Sequence, residues 1–294
     1  MQGLILALTS YIIWGVSPLF FDLLSHVSAV EVLAHRVIWS LVATLGLALI
    51  LRRLRWLILA LKKPKLLLWL GLSSLLISIN WLVYIWAVLN HHVLEASLGY
   101  FITPVVSLVL ARLLLKESLH PLQAAAGALA LVAVAWELWS LGSLPWVTIV
   151  LSLAFAFYGL IRKLHPVDGL NGLTIETLWV LPLAIAWIVW QDGQADSVLK
   201  FGQDVFTTSL LISSGFLTAL PLVLFAIAAR QVDLSVIGFI MYVNPTMQFL
   251  IGVFILDEHF PQQRLITFVL VWIALLLFII GMLKQRQKQQ AVTN

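Results

Sequence analysis

Cysteine is absent from the 294 residues, so no disulfide framework, thiolate metal site or thiol nucleophile is available. Charge is almost as scarce. Asp, Glu, Lys and Arg make up 10% of the chain against 62% hydrophobic residues. A soluble domain of that composition lacks the polar residues to cover its surface, and the missing apolar solvent is a bilayer. The chain also has no G-x-x-x-x-G-K-[ST] loop, no H-E-x-x-H helix and no Gly-rich dinucleotide fingerprint, which excludes ATP-driven pumping by this chain alone. Long polar connections are missing too. The longest, near 52–65 and 192–206, leave no room for a soluble domain, which argues against catalysis in an aqueous domain.

What is present is a series of apolar runs, each close to the roughly 20 residues that cross a hydrocarbon core about 30 Å thick. Ten fit: 3–21, 29–51, 66–88, 93–115, 121–140, 145–163, 171–191, 207–229, 234–256 and 263–283. The fold expected is an all-α polytopic membrane protein with ten transmembrane helices. The run from Leu4 to Phe21 has neither a cationic leader nor a small-residue cleavage site, so it reads as a retained span.

The cations fix an orientation, because Lys and Arg near helix ends stay on the cytoplasmic side. Fourteen of the seventeen fall at one side of the ten runs, in the clusters Arg52 to Lys65, Arg112/Lys116, Arg162/Lys163, Arg230 and Lys284 to Lys288. Only Lys200 and Arg264 fall at the other side, and Arg36 lies inside the second run. Both termini are therefore expected in the cytoplasm of a cell with a bacterial-type inner membrane. Because the basic residues have this topological explanation, nucleic acid is not an expected partner; the bilayer and a small-molecule substrate are. Oligomeric state is not legible. Trp56 to Leu61, apolar between two cation clusters, reads either as a segment at the headgroup boundary or as a solvated loop.

The fourth and ninth runs resemble one another. A single offset aligns Pro104 with Pro245, Leu115 with Leu256 and Glu117 with Glu258. A repeat of five spans enters the membrane from opposite faces in its two copies, so 1–141 and 142–294 are expected to be two inverted five-helix repeats, the architecture of alternating access.

Several segments carry a wider resemblance: EVLAHR in the second run, NWLVYIWAV, LEASLGYFITP and KESLHPLQ between Asn80 and Gln123, and NPTMQFLIGVFILDE in the ninth. With these, the whole chain resembles the RarD-type members of the EamA family in the drug/metabolite transporter superfamily. The resemblance implies a ten-helix, two-repeat permease with its substrate cavity between the halves. Members of this group are commonly labelled chloramphenicol-resistance permeases, although the superfamily also moves amino acids, nucleotide sugars and other metabolites.

Independently of that resemblance, ionisable groups at membrane depth are costly and need a partner or a cavity. Glu31, His35 and Arg36 lie in the second run and Glu176 in the seventh. Arg36 is expected either to pair with Glu176 or to receive an anionic substrate group, and His35 to titrate near neutral pH in proton coupling. The alternative is a structural ion pair near the helix ends. Glu31 is close enough to the external face to be hydrated. Pro104 and Pro245 lack an N–H, so the carbonyls of Tyr100 and Met241 lose their helical donors and both helices are expected to hinge beside Thr103 and Asn244. Pro18, Pro182 and Pro221 are expected to bend the first, seventh and eighth helices.

Asn80 and Tyr84 lie one turn apart, and Trp14, Tyr100 and Tyr242 are expected either to complete an aromatic cavity for an amphipathic metabolite or drug, or to serve as packing. Glu117 and Glu258 are expected to cap the helix that follows each of them across a short turn. The chain is therefore expected to be an exporter or exchanger without metal or cofactor, with proton coupling open. The competing reading is a non-transporting intramembrane enzyme or membrane scaffold, with Glu31, His35 and Glu176 as acid and base.

Overall fold

The computed structural model describes residues 2–116, 120–141, 145–165, 167–194, 197–228, 231 and 240–293. All regular structure among them is helical: α1 (Gln2–Gly15), α2 (Ser17–Asp22), α3 (Ala29–Ile50), α4 (Leu54–Leu61), α5 (Pro64–Leu89), α6 (Val93–Leu115), α7 (Pro121–Leu141), α8 (Trp146–Leu164), α9 (Gly169–Asp192), α10 (Val205–Ala228), α11 (Val243–Phe254) and α12 (Gln262–Thr293). Hydrocarbon offers the backbone no hydrogen bonds, so each apolar run closes its own ladder as a helix. With α1 and α2 counted as one span, nine helices among the described residues are long and apolar enough to cross a membrane. They match the first eight and the last of the expected runs. The ninth run is met by the shorter α11, with residues 232–239 outside the described part. Arg230 and Glu117 also lie outside it.

Local signals set the helix boundaries. Ser28 caps α3 by accepting the Glu31 N–H, and Asp168 caps α9 by accepting the Asn171 N–H, each satisfying a free donor of the first turn. The first span is broken at Val16 because Pro18 cannot donate to the Trp14 carbonyl. The Ser17 hydroxyl donates to that carbonyl instead, at 2.6 Å. Pro104, Pro182 and Pro221 lie inside α6, α9 and α10. Pro245 does not lie mid-helix as expected. It sits in the first turn of α11, where a missing N–H costs no helical bond, and the Met241 carbonyl accepts the Asn244 N–H at 3.3 Å.

Trp56 to Leu61 belongs to the short helix α4, which packs against α3, α5 and α9. Leu57 and Ala60 are buried while Ile58, Leu59 and Leu61 are exposed. That division suits a helix lying along an interface.

Among the spans, α3 packs against α9 and α10, α5 against α8 and α9, α6 against α8 and α11, α1 against α10 and α11, and α7 against α12. Glycine sets the closest approach: a Cβ on Gly215 of α10 would stand 2.3 Å from the Trp39 backbone of α3. Leu131, Leu183, Val205 and Trp139 are mostly exposed, whereas Glu31, Ser40, Thr44, Asn80, Glu137, Glu176 and Gln248 are buried. Apolar outside and polar inside is the arrangement a helix bundle adopts in lipid.

Candidate functional site

The spans bring their polar residues to three places: a central layer, the end that carries most of the basic residues, and the opposite end. The layer lies about 8–14 Å along the helices from the opposite end, at the 1.5 Å rise per residue of an α-helix. The break at Pro18 turns Ser17 toward α5, where its hydroxyl and that of Tyr84 share a hydrogen bond of 2.6 Å. Tyr84 also accepts from Gln248 Nε2 of α11 at 3.3 Å, and the same amide donates to Asn244 Oδ1 at 2.7 Å. One turn before Tyr84, Asn80 donates to the Leu151 carbonyl at 3.1 Å and accepts the Tyr100 hydroxyl at 3.1 Å. The rings of Tyr84 and Tyr100 are 5.8 Å apart. Four of the expected residues, Asn80, Tyr84, Tyr100 and Asn244, thus meet as one network linking α2, α5, α6, α8 and α11.

Arg36 borders this layer. Its guanidinium lies 4.5 Å from the Trp81 ring and 5.5 Å from the Phe21 ring, and Phe21 stands edge-on to Tyr84. Nε donates to Thr218 Oγ1 at 2.7 Å. The expected pairing with Glu176 is not formed. Among the described residues Arg36 has no ion-pair partner, and its buried Nη1 has no hydrogen-bond acceptor.

Glu176 belongs to the basic end instead. Its carboxylate is 3.6 Å from Arg162 Nη1 and accepts from the Ser73 hydroxyl at 2.7 Å and the Tyr158 hydroxyl at 3.4 Å. Arg162 Nη2 also donates to the Val167 carbonyl. The guanidinium reaches the carboxylate only because Gly172 leaves the path open; a Cβ there would stand 2.1 Å from Nη1.

At the opposite end Glu31 is fully buried rather than hydrated. One carboxylate oxygen accepts the backbone N–H groups of Lys200 and Phe201 at 2.7 and 2.9 Å. This folds the α9–α10 connection onto α3, where Phe201 stacks on His35 at 4.3 Å. Among the described residues, neither His35 ring nitrogen, both buried, has a hydrogen-bond partner. The same connection ends on Asp204, whose exposed carboxyl is held below its ordinary pKa mainly by the Thr207 N–H.

Glu258 does cap a helix, but not the following one: its two oxygens accept the Val93 and Leu94 N–H groups at the start of α6. Arg264 joins Glu137 of α7 at 2.8 Å and Glu95 of α6 at 3.5 Å. Trp14 packs its ring on Tyr11 and lends the layer only its carbonyl. Tyr242 stacks on Phe101 in an aromatic cluster with Phe268, away from the layer, and its buried hydroxyl has no partner among the described residues.

Gln248, Ser17 and Thr218 also take part here, and the sequence does not single them out, because their partners come from other spans. Gln248 carried one usable signal, its i, i+4 spacing from Asn244.

Comparison with known proteins gives this architecture its relatives. The profile of the EamA-like transporter family matches residues 1–138. Protein RarD of Salmonella typhimurium is 41% identical over 290 residues, covering 98% of either chain. The uncharacterized transporter YojE of Bacillus subtilis is 39% identical over 293 residues, covering 99% of this chain and 97% of its own. A protein of Pseudomonas aeruginosa named chloramphenicol-sensitive protein RarD is 32% identical over 281 residues, covering 94% and 93%. One crystal structure at 14% identity superimposes over 95% of this chain and 98% of its own with a TM-score of 0.62, a likeness of fold.

Proposed function

The chain belongs to the EamA-like transporter family, and from that membership we propose that it is a secondary transporter, an exporter or exchanger of small amphipathic metabolites or drugs. The observation that carries this reading is the largely buried layer of Asn80, Tyr84, Tyr100, Asn244 and Gln248. Such groups are expensive inside a membrane and mark substrate pathways, and aromatic rings beside a few amide and hydroxyl groups suit an amphipathic solute.

The layer joins spans of 1–141 to α8 and α11 of 142–294, the two segments that alternating access moves against one another. In this reading they are inverted repeats. The packing supports it. A shift of five spans turns the α3–α10 contact into α5–α9, α6–α8 into α1–α11, and α1–α10 into α5–α8, while α3–α9, α6–α11 and α7–α12 map onto themselves. The cation distribution supports both termini in the cytoplasm and placement in a bacterial inner membrane.

Proton coupling, with His35 and the carboxylates of α3 and α9 as its candidates, is the part that flux measurement decides. Purified protein in liposomes is given a pH jump and a panel of amino acids, aromatic drugs and chloramphenicol, with internal pH and solute followed together. Solute-dependent proton movement supports coupled transport. Solute flux without protons retires the coupling and leaves facilitated exchange; no protein-dependent flux of any solute retires the transport reading for this panel.

A further inference from the structure

We infer that Arg36 anchors a binding site for a small organic anion, a carboxylate or sulfonate joined to an apolar and preferably aromatic body; this rests on the transporter reading above and names its substrate class. The chain supplies its own controls. Arg162 and Arg264 are also largely buried, and each pairs with a buried carboxylate, Glu176 or Glu137. Arg36 is 7% exposed and, among the described residues, has no carboxylate within 4.0 Å. Among the described residues Nε donates to the neutral Thr218 hydroxyl, and Nη1 is buried without an acceptor.

Desolvating a guanidinium without an anion is unfavourable, and a fold that accepts this keeps the charge for a purpose other than stability. The purpose follows from the surroundings. A guanidinium holds a planar oxyanion through parallel N–H donors, which an ammonium does not match. The Trp81 and Phe21 rings on which the guanidinium lies give an apolar body a surface beside the charge. Phe21 leads through Tyr84 into the Ser17, Gln248 and Asn80 layer, so the anchor is continuous with the proposed transport site.

The test uses full-length protein, purified and then placed in zwitterionic liposomes. The probes are 3-phenylpropionate and benzenesulfonate, set against the neutral methyl 3-phenylpropionate and benzenesulfonamide. The anions are expected to raise the thermal midpoint of the wild type and the neutral probes to leave it unmoved. Arg36→Gln is expected to weaken the anion response at least about 10-fold, the scale of a lost charged hydrogen bond, while leaving the ligand-free midpoint equal or higher. Arg36→Lys, which keeps the charge but not the fork, is expected to bind with intermediate affinity and stands in if the Gln variant does not fold.

Equal responses to anionic and neutral probes, or an Arg36→Gln protein that loses stability yet binds anions as before, would overturn the inference. Counterflow of benzenesulfonate, which has no membrane-permeant acid form at neutral pH, separates the two claims. Anion binding lost in Arg36→Gln, with no counterflow of any probe by the wild type, keeps the site and removes the transporter reading. Counterflow of a neutral probe that Arg36→Gln leaves intact, with no anion selectivity, does the reverse.

Discussion

His35 and Phe201 stack face to face at 4.3 Å, joining the second turn of one span to the connection between two others. One turn before His35, Glu31 holds the N–H groups of Lys200 and Phe201 on one carboxylate oxygen, so ring and carboxylate together form a two-point latch. Replacing Glu31 by Leu leaves two backbone donors without their acceptor, a loss of about 1–3 kcal/mol. Amide exchange at Lys200 and Phe201 is expected to rise at least tenfold while exchange in the spans stays as it was; unchanged protection at those two amides would show that the carboxylate is not the hook. His35→Phe keeps the stack and removes both ring nitrogens, so it is expected to preserve protection. If it also abolishes solute-driven proton movement, His35 is part of the coupling.

The Arg162–Glu176 pair yields a second prediction, through a residue that itself carries neither a polar side chain nor a charge. Gly172→Ala places a Cβ where Arg162 Nη1 now lies, so the guanidinium must shift; if the shift takes it off Glu176, the loss is that of removing one partner of a buried pair, about 3–5 kcal/mol. Gly172→Ala and Arg162→Ala are expected to lower the thermal midpoint by similar amounts, and the double variant by no more than either alone. Additive losses would mean that the glycine serves helix packing instead.

Length and apolarity made the spans legible, because about 20 apolar residues admit few structures other than a crossing helix. The partners of the buried charges were not legible, because they depend on which spans lie side by side. Glu176 and Arg36 both lie at membrane depth, yet Glu176 is reached by Arg162 from the last turn of the preceding helix, α8, a pairing for which the bare Cα of Gly172 leaves room. Glu258 looked like a cap for the helix after it, and the fold gives it α6. Gln248 lies within a segment that carries the family resemblance, but its value depends on Tyr84 of α5 standing beside it, and a single sequence does not show which spans are neighbours.

Asp204 gives a pH dependence with a defined sign. Its carboxyl is held below the ordinary value, chiefly by the Thr207 N–H. A depressed folded-state pKa adds stability that is fully present above the unfolded pKa and is lost as pH falls through the folded one. Asp204→Ala is therefore expected to show faster exchange at the start of α10 than the wild type at pH 7. The gap is expected to be full above pH about 4, the unfolded carboxylate range, and to close only as pH falls through the lower folded-state value. A gap that does not narrow at all as pH falls below about 4 would assign the difference to packing.

The polar layer should separate stability from function. Gln248→Leu removes an amide that reaches Tyr84 and Asn244 and puts a side chain of similar size in its place, so the thermal midpoint is expected to move little. Tyr84 keeps Ser17 as a partner in that variant, which leaves Asn244 Oδ1 as the main group without its donor. Tyr84→Phe is the complementary change: Ser17 keeps the Trp14 carbonyl and Gln248 keeps Asn244, so every remaining donor retains one acceptor. If the layer holds solute, both variants are expected to fold and insert as the wild type does while flux of the best solute in the panel falls about 10-fold or more, the scale of one or two lost hydrogen bonds at a buried site. If the layer only ties α2, α5 and α11 together, the order reverses: the midpoint drops, and flux per folded molecule stays level. Measuring both quantities on each variant decides between the two, since a tie between helices has no reason to distinguish one solute from another, whereas a binding layer has no reason to spare the flux.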